Sequence, residues 1–395
     1  MSANQALRFF LTTSFFFSFL LAHSQNPNTS APPNIRSKSA IVMDAETGFV
    51  LYEHDAHTPR HPASTTKIMT ALLLVEHFEP LDIITAPEDC EKIEGSSLYL
   101  KPNEQLNAKD MLYALFLRSA NDAAHAIACA IANGDQEFAN LMNERANQLG
   151  CKHTHFTNPH GLSDPKHYST AYDLALITRE AMKYPLVREA AATRSAWISR
   201  SINTKDTFLK SKNRFLFEPG AEGVKTGYTR EAGHCFVGFK RENDWGLIAV
   251  VLDSEDWLTD TQTLYDWAYA NYERRIVFPE KTIMGKALVE DGKQSSVRGI
   301  LEKDFRVIAR KGELLGPPEI RWKNLIAPVH AGDEIGKVVF EKDGITFATA
   351  VLAEKTIEAA PFWQKAQSTP IQASICLLLF AMMWSFYKKR IARYK

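Results

Sequence analysis

A serine and a lysine that could act as a nucleophile and its base occur early in the chain, at Ser64 and Lys67. The segment from Ser64 to Phe78 is predicted to be a helix, because its apolar residues recur at helical spacing. Side chains three residues apart share one helix face, so Lys67 can reach the Ser64 hydroxyl. A serine becomes a nucleophile when a base takes its proton, and a neutral lysine can be that base. The spacing alone is a weak signal, since it recurs elsewhere in the chain.

Two further short patterns contain candidate functional residues. Ser119 and Asn121 lie at a junction between predicted helices, where serine and asparagine are also common helix caps. The triplet Lys225-Thr226-Gly227 lies in a predicted strand, Glu222 to Tyr228. Lysine and threonine can hold an anionic group by charge and hydroxyl, and a strand glycine often marks the close approach of another backbone. An edge strand protected by a lysine would look the same.

The elements that must position these residues indicate an α+β fold. A β-hairpin is predicted near the start, helices rich in alanine and leucine follow, and strands return before a closing helix. Strands at both ends of this segment, with helices between them, favour a layered fold whose first and last strands share one sheet. The ranges are Ser39–Asp44 and Gly48–Glu53 for the hairpin, 108–150 for the helices, 222–228, 235–240 and 247–253 for the strands, and 257–272 for the closing helix.

From about Lys281 to Glu358 the pattern changes to short alternating runs punctuated by glycines, which predicts a small all-β module. We therefore expect a catalytic domain over residues 39–278 and a β-rich domain over 281–360.

The two ends of the chain have patterns typical of export and anchoring. Residues 1–24 combine Arg8 with an apolar run and small residues, which predicts a signal peptide, with an uncleaved anchor as the alternative. Residues 25–38 are rich in proline, asparagine and serine and are predicted to be a linker. Residues 371–387 contain no charge and precede a basic tail, 388–395, which predicts a transmembrane helix with the tail in the cytoplasm.

Composition excludes several classes of protein. The chain of 395 residues is 45% hydrophobic and 23% charged, which excludes a disordered chain. Lys+Arg and Asp+Glu are both 46, so no basic excess points to nucleic acid. Of the cysteines, one lies in the predicted span and the others lack metal or redox spacing. They could form disulfides or remain buried thiols, and the sequence leaves both open: Cys90, Cys129, Cys151 and Cys235.

A zinc site is the alternative chemistry that the sequence offers. Cys151, His153, His155 and His160 fall within ten residues, and alternation on a strand would put the first three on one face. The group lacks the usual spacing and an acidic partner. We therefore predict no metal and no cofactor here, and expect a loop beside the active-site cleft.

The order of the three patterns, Ser-x-x-Lys, Ser-x-Asn and Lys-Thr-Gly, is the signature of penicillin-binding proteins and serine β-lactamases. The stretches PASTTKIMT, Gly95-Ser96-Ser97, FTNPHGLS and EGVKTGYTREAGHC resemble the D-alanyl-D-alanine carboxypeptidases, which are low-molecular-mass penicillin-binding proteins of the bacterial cell envelope. The resemblance extends from about Ser39 to Tyr272, and the β module and C-terminal anchor repeat that family's layout.

The resemblance implies a role for each catalytic residue. Ser64 would be the acylated nucleophile and Lys67 its base. Ser119 would relay protons, and Asn121 would bond the substrate amide and orient Lys67.

The resemblance also implies how substrate is bound. Lys225 and Thr226 would hold the terminal carboxylate, and Gly227 would leave room for the peptide. The backbone N–H groups of Ser64 and Tyr228 would form the oxyanion hole, with Tyr228 where the family often has histidine. A further family resemblance places Arg214 near the carboxylate.

The implied activity is removal of the terminal D-alanine from a peptidoglycan pentapeptide ending in D-Ala-D-Ala, with inhibition by β-lactam antibiotics. The enzyme would be membrane-anchored on the periplasmic face of the inner membrane. A β-lactamase is disfavoured because no Glu-x-x-Leu-Asn segment lies between Ser119 and Lys225. A DD-endopeptidase would use the same residues and stays open. A non-catalytic wall-binding scaffold is the alternative from another class.

Overall fold

The computed structural model describes residues 31–361 together with 378 and 381–384. A five-stranded antiparallel sheet organises the first part of the chain, with the strand order β2-β1-β9-β8-β7. β1 pairs with β9 along its whole length, which confirms that the first and last strands share one sheet. These strands are β1 (Ser39–Asp44), β2 (Val50–His54), β7 (Ala221–Thr229), β8 (Gly233–Glu242) and β9 (Trp245–Ser254), and the short strands between them are β3 (Ile83–Thr85), β4 (Gln105–Asn107), β5 (Ser195–Trp197) and β6 (Phe208–Lys210).

Helices cover both faces of this sheet. Alternate residues of a strand point to opposite faces, so Ile41 and Met43 enter one core and Ala40 and Val42 the other. The first core contains α1 to α6 and the second contains α7. The helices are α1 (Lys67–His77), α2 (Ala108–Tyr113), α3 (Asn121–Ala132), α4 (Asp135–Gln148), α5 (Ala171–Ala181), α6 (Pro185–Ala192) and α7 (Trp257–Asn271).

The C-terminal part is a β module, as predicted. Its six-stranded sheet has the order β14-β16-β17-β12-β11-β15, and β10 pairs separately with β13. Its apolar side chains join the same core as α7, so the module packs on the outer face of the catalytic sheet. The strands are β10 (Tyr272–Phe278), β11 (Ile283–Glu290), β12 (Ser296–Leu301), β13 (Phe305–Arg310), β14 (Glu319–Trp322), β15 (Leu325–Ile326), β16 (Glu334–Lys342) and β17 (Ile345–Ala353).

The predicted signal peptide, residues 1–24, and the basic tail, 388–395, lie outside the described residues, as does most of the predicted span, 371–387. Within the part of the chain that the structure describes, no helix has both the length and the apolar character needed to cross a membrane. The four cysteines outside the predicted span are free thiols: Cys90, Cys129, Cys151 and Cys235.

A fully buried ion pair ties two loops of the catalytic domain together. Arg200 Nε lies 2.8 Å from Glu104 Oε1, and neither side chain has any exposed surface. The same guanidinium donates to the carbonyl oxygens of Leu98 and Asp206. It therefore joins the loop after β5 to the segment that leads into β4.

Replacing Arg200 by methionine should strongly destabilise the catalytic domain, because it leaves the Glu104 carboxylate buried and unpaired. The expected loss in the free energy of unfolding is about 3–5 kcal/mol, measured by urea denaturation. Arg321→Met breaks the exposed pair with Glu319 and should cost at most about 1 kcal/mol. Equal losses in the two variants would contradict the structural role of the buried pair.

Candidate active site

Ser64 and Lys67 meet at the start of α1. Ser64 lies in a 3₁₀ turn, Ala63–Thr66, and Lys67 is the first residue of the α-helix. The turn begins with Ala63 in the left-handed conformation (φ 48°) and is tightened by hydroxyls that donate to the carbonyl oxygens of the preceding residues. Lys67 Nζ lies 3.2 Å from Ser64 Oγ, as expected for side chains one turn apart.

The Lys67 amine is fully buried and has three polar neighbours. It donates to Asn121 Oδ1 at 2.6 Å and to the main-chain oxygen of His160 at 2.7 Å, and it faces Ser64 Oγ. Burial, and then the positive charge of Lys225, lower the pKa of Lys67 well below its ordinary value. A free amine has two N–H groups and one lone pair, so the two acceptors leave the lone pair for the Ser64 hydroxyl proton.

Lys225 and Ser119 form a second pair beside the first. A π-helical turn, Ala114–Arg118, ends at Ser119, which has the left-handed conformation (φ 56°). Lys225 Nζ donates to Ser119 Oγ at 2.9 Å and to the Thr226 main-chain oxygen at 2.8 Å. Burial, followed by the charge of Lys212, lowers the pKa of Lys225 to about 7.

Asn121 is held from the side opposite the lysine. It is the first residue of α3, and its Nδ2 donates to the Glu94 main-chain oxygen at 2.6 Å, which turns Oδ1 towards Lys67. The next residue, Asp122, accepts hydrogen bonds from Ser97 Oγ and from the backbone of Leu98 and Leu100. The loop that precedes β4 is therefore fastened to the same helix that carries Asn121.

Ser64, Ser119 and Lys225 line a cleft of about 420 Å3 at the edge of β7. At Gly227 an added Cβ would lie 3.0 Å from the Ser64 nitrogen, so the strand passes close to the nucleophile, as the sequence predicted. Tyr228 is 61% exposed, and its ring lies 4.7 Å from that of His234. The lining residues are Ser64, Ser96, Phe116, Leu117, Ser119, Lys212, Asn213, Arg214, Lys225, Thr226, Gly227, Tyr228, His234 and Trp257.

Arg214 lines this cleft at the start of a 3₁₀ turn, Arg214–Phe217. Lys212, which the sequence analysis did not select, lines the cleft too, and its charge acts on Lys225. Lys212 belongs to no motif, so only its nearness to Arg214 in the chain could have suggested it.

The residues of the zinc alternative are directed to different partners. Cys151 Sγ donates to the Asp173 main-chain oxygen, and His155 Nδ1 bonds to the Lys166 main-chain oxygen. The His160 ring faces Asp135 instead. Across residues 31–361, 378 and 381–384, no group of three histidine, cysteine or carboxylate side chains could hold a metal ion.

Comparison with known families assigns both parts of the chain. Residues 26–256 match the model of the D-alanyl-D-alanine carboxypeptidase family, and residues 272–359 match the C-terminal domain of penicillin-binding protein 5. The fold and the site thus define a serine hydrolase of the low-molecular-mass penicillin-binding proteins. The chain belongs to the D-alanyl-D-alanine carboxypeptidase family, which confirms the resemblance found in the sequence.

Individual relatives agree with this assignment. The chain is 33% identical to D-alanyl-D-alanine carboxypeptidase DacF of Bacillus subtilis, over 84% of this chain and 86% of that protein. It is 29% identical to D-alanyl-D-alanine carboxypeptidase DacA of Escherichia coli K12, over 91% of this chain and 92% of that protein. Its fold is similar to that of penicillin binding protein 5 from Haemophilus influenzae, with a TM-score of 0.67, 26% identity and coverage of 83% and 99%. Its fold is also similar to that of PBP3 of Streptococcus pneumoniae, a peptidoglycan synthesis regulatory factor. The TM-score is 0.75, the sequence identity is 26%, and the match covers 82% of this chain and 100% of that chain.

Substituting Gly161 by alanine should impair the nucleophile without removing any polar group. The new Cβ would lie 1.9 Å from the Ala63 main-chain oxygen, so the turn that carries Ser64 must move. We expect acylation by a fluorescent penicillin to slow on the order of 100-fold, since a displacement of about 1 Å can cost that much.

Gly150→Ala is the matched control. Gly150 has nearly the same backbone conformation (φ +85° against +87°), but no atom lies within 4 Å of an added Cβ. It should lose about 1–2 kcal/mol of stability from the left-handed conformation and keep its acylation rate. Normal acylation of Gly161→Ala would show that this contact does not position Ser64.

Proposed function

We propose that this protein is a serine carboxypeptidase that removes the terminal D-alanine from peptidoglycan stem peptides ending in D-Ala-D-Ala. The observation that supports it best is the buried Lys67 amine, which has two acceptors for its N–H groups and Ser64 Oγ at 3.2 Å. Burial lowers the pKa of this lysine, so the amine gives up its own proton more readily and can then take the serine proton.

In the proposed acylation step, Ser64 Oγ attacks the carbonyl carbon of the penultimate D-alanine while its proton passes to Lys67 Nζ. The tetrahedral oxyanion is stabilised by the backbone N–H groups of Ser64 and Tyr228. The C–N bond then breaks, and the leaving D-alanine nitrogen receives a proton through Lys67 and Ser119. Water attacks the resulting ester and gives a proton to Lys67. The lysine passes a proton to Ser64 Oγ as the ester C–O bond breaks, which releases the shortened peptide and regenerates Ser64.

Binding of the substrate's terminal carboxylate is proposed for Lys225 and Thr226, with Lys212 and Arg214 as further cations in the cleft. A charged Lys225 has the right sign, and its hydrogen bond to Ser119 supports a carboxylate site beside the proposed proton relay. The approach of β7 to Ser64 at Gly227 allows an extended peptide to pair with the strand edge beside the nucleophile.

The alternative functions would give different reaction products. A DD-endopeptidase would cleave cross-linked peptides with the same residues, and a β-lactamase would release hydrolysed drug rapidly. A wall-binding scaffold would not form an ester at Ser64. The paired lysines favour an enzyme over a scaffold, because a buried amine without a function carries a large desolvation cost.

For location, we propose a catalytic domain over 39–278 and a β-rich domain over 281–360 at the periplasmic face of the inner membrane. The signal peptide, 1–24, and the span, 371–387, would export and anchor them. The anchoring proposal rests on the apolar sequence of the span and on its basic tail.

The nucleophile can be identified by labelling. Fluorescent penicillin should label the intact protein, and mass spectrometry should place the adduct on Ser64. Ser64→Ala should lose both the label and D-alanine release from a pentapeptide. Ser163→Ala, which removes a serine with the same spacing to a lysine, should keep both. An adduct on any other residue would contradict the assignment.

The pH dependence should show two opposed limbs. The value of kcat/KM for a peptide ending in D-Ala-D-Ala should rise as Lys67 becomes neutral and fall above about pH 7, where Lys225 loses the charge that binds carboxylate. Lys212→Gln removes a neighbouring charge that lowers the pKa of Lys225, so the alkaline limb should move to higher pH.

Lys210→Gln is the control for this experiment, because Lys210 is exposed on β6 and is not among the groups that lower the pKa of Lys225. Its alkaline limb should stay in place. If Lys212→Gln also left the limb unmoved, Lys225 would not be the group that limits activity at high pH.

A further inference from the structure

A line of charged and polar side chains leads from the surface to Lys67 and has no part in the reaction proposed above. Asp89 Oδ1 lies 3.0 Å from His125 Nε2, and His125 Nδ1 lies 2.7 Å from Asp135 Oδ1. Asp135 Oδ2 lies 3.6 Å from His160 Nε2. The main-chain oxygen of His160 accepts the 2.7 Å hydrogen bond from Lys67 Nζ.

The outer half of this line is ionic. Both ring nitrogens of His125 face carboxylate oxygens, so both must carry protons to donate. The bond to Asp135 outweighs the effect of burial and, with the bond to Asp89, raises the pKa of His125 to about 9. Burial opposes ionisation of Asp135, but the contacts with the two histidines lower its pKa to about 2. The Cys129 thiol, 3.6 Å from His125 Nε2, stays neutral because burial raises its pKa to about 11.

The inner half is neutral and has a defined tautomer. His160 Nδ1 accepts a hydrogen bond from the Leu162 N–H at 3.2 Å, so the ring proton is on Nε2, the nitrogen that faces Asp135. Burial lowers the pKa of His160, which keeps the ring uncharged. The ring is therefore held on one side by its own loop, and on the other side its Nε2–H faces the carboxylate at the start of α4, 3.6 Å away.

Residues 158–161 of the same loop make several neutral contacts. Asn158 Oδ1 accepts from the N–H groups of His160 and Gly161, and Thr70 Oγ1 donates to the Pro159 oxygen. The ionised group that the His160 ring faces is the carboxylate of Asp135. Its position decides where the ring, and with it the adjoining main-chain oxygen, can lie.

We propose that Asp135 and His125 are positioning residues that act through His160 to hold the main-chain oxygen that orients the Lys67 amine. With that acceptor fixed, one N–H of the amine points at His160, the other at Asn121, and the lone pair is directed to Ser64. If the His160 main-chain oxygen moves, the Lys67 amine can rotate, and its lone pair no longer points at Ser64 Oγ. This inference rests on the proposed role of Lys67 as the base.

The test compares two charge-removing variants of α4 in the full-length protein. Asp135→Asn keeps the shape of the side chain and removes the charge that holds both histidines. Its acylation rate constant with a fluorescent penicillin should fall on the order of 10- to 100-fold. The KM for a peptide ending in D-Ala-D-Ala should stay about the same, because carboxylate recognition belongs to Lys225. Glu137→Gln removes an exposed charge from the same first turn and should change neither.

A double variant of Asp135 and His160 distinguishes a positioning role from general damage to the fold. His160→Gln should slow acylation, and the double variant with Asp135→Asn should be hardly slower than His160→Gln alone, since both act through one ring. Should Asp135→Asn fail to fold, His125→Gln keeps the Asp135 carboxylate, and a smaller loss of the same kind is expected.

The positioning role of Asp135 and the proposed carboxypeptidase function would be contradicted by different results. Acylation of Asp135→Asn, or of a folded His125→Gln, at the rate of Glu137→Gln would overturn the inference and leave the proposed function intact. Absence of any adduct on Ser64 in the unaltered protein would instead overturn the proposed function.

Discussion

The site depends on keeping the amine of Lys67 uncharged inside the protein. Removing an ammonium from water is costly, and the cost is smallest when the proton is given up. The fold enforces this by burying Lys67 completely and by placing a second buried lysine, Lys225, close enough to oppose its charge. Oxygen acceptors from Asn121 and His160 can satisfy both N–H groups of an uncharged amine, whose lone pair can then face the Ser64 hydroxyl.

The two lysines divide the chemistry because their surroundings differ. Lys67 is enclosed by main-chain and amide oxygens within the helical layer, whereas Lys225 lines the open cleft and faces Ser119. With a pKa of about 7, Lys225 can still be protonated near neutral pH. An incoming carboxylate would favour that charged form. These surroundings support the proposed roles of Lys67 as a base and Lys225 as a cation, although each is buried.

Close approach of backbones makes this arrangement possible. Helix α1, strand β7 and the loop after Pro159 converge on the turn that carries Ser64, and glycines stand at two of the contacts, Gly227 and Gly161. A side chain at either position would push neighbouring backbone away from the nucleophile. The sheet supplies β7 in a fixed register with β8, and the helical layer supplies α1 and α3, so the catalytic groups come from three rigid elements.

The sequence by itself determined the motif residues, the α+β order of elements and the β module, because helical and strand periodicity and the Ser64–Lys67 spacing are local properties. Local patterns could not show that Lys212 acts on Lys225 or that Asp135 and His160 lie next to each other. Those contacts join segments far apart in the chain, and they exist only after the helices and loops have packed. Tertiary structure alone therefore decided the direction in which the lysine pKa values shift, since burial and neighbouring charge, which set a pKa, are properties of the packed protein.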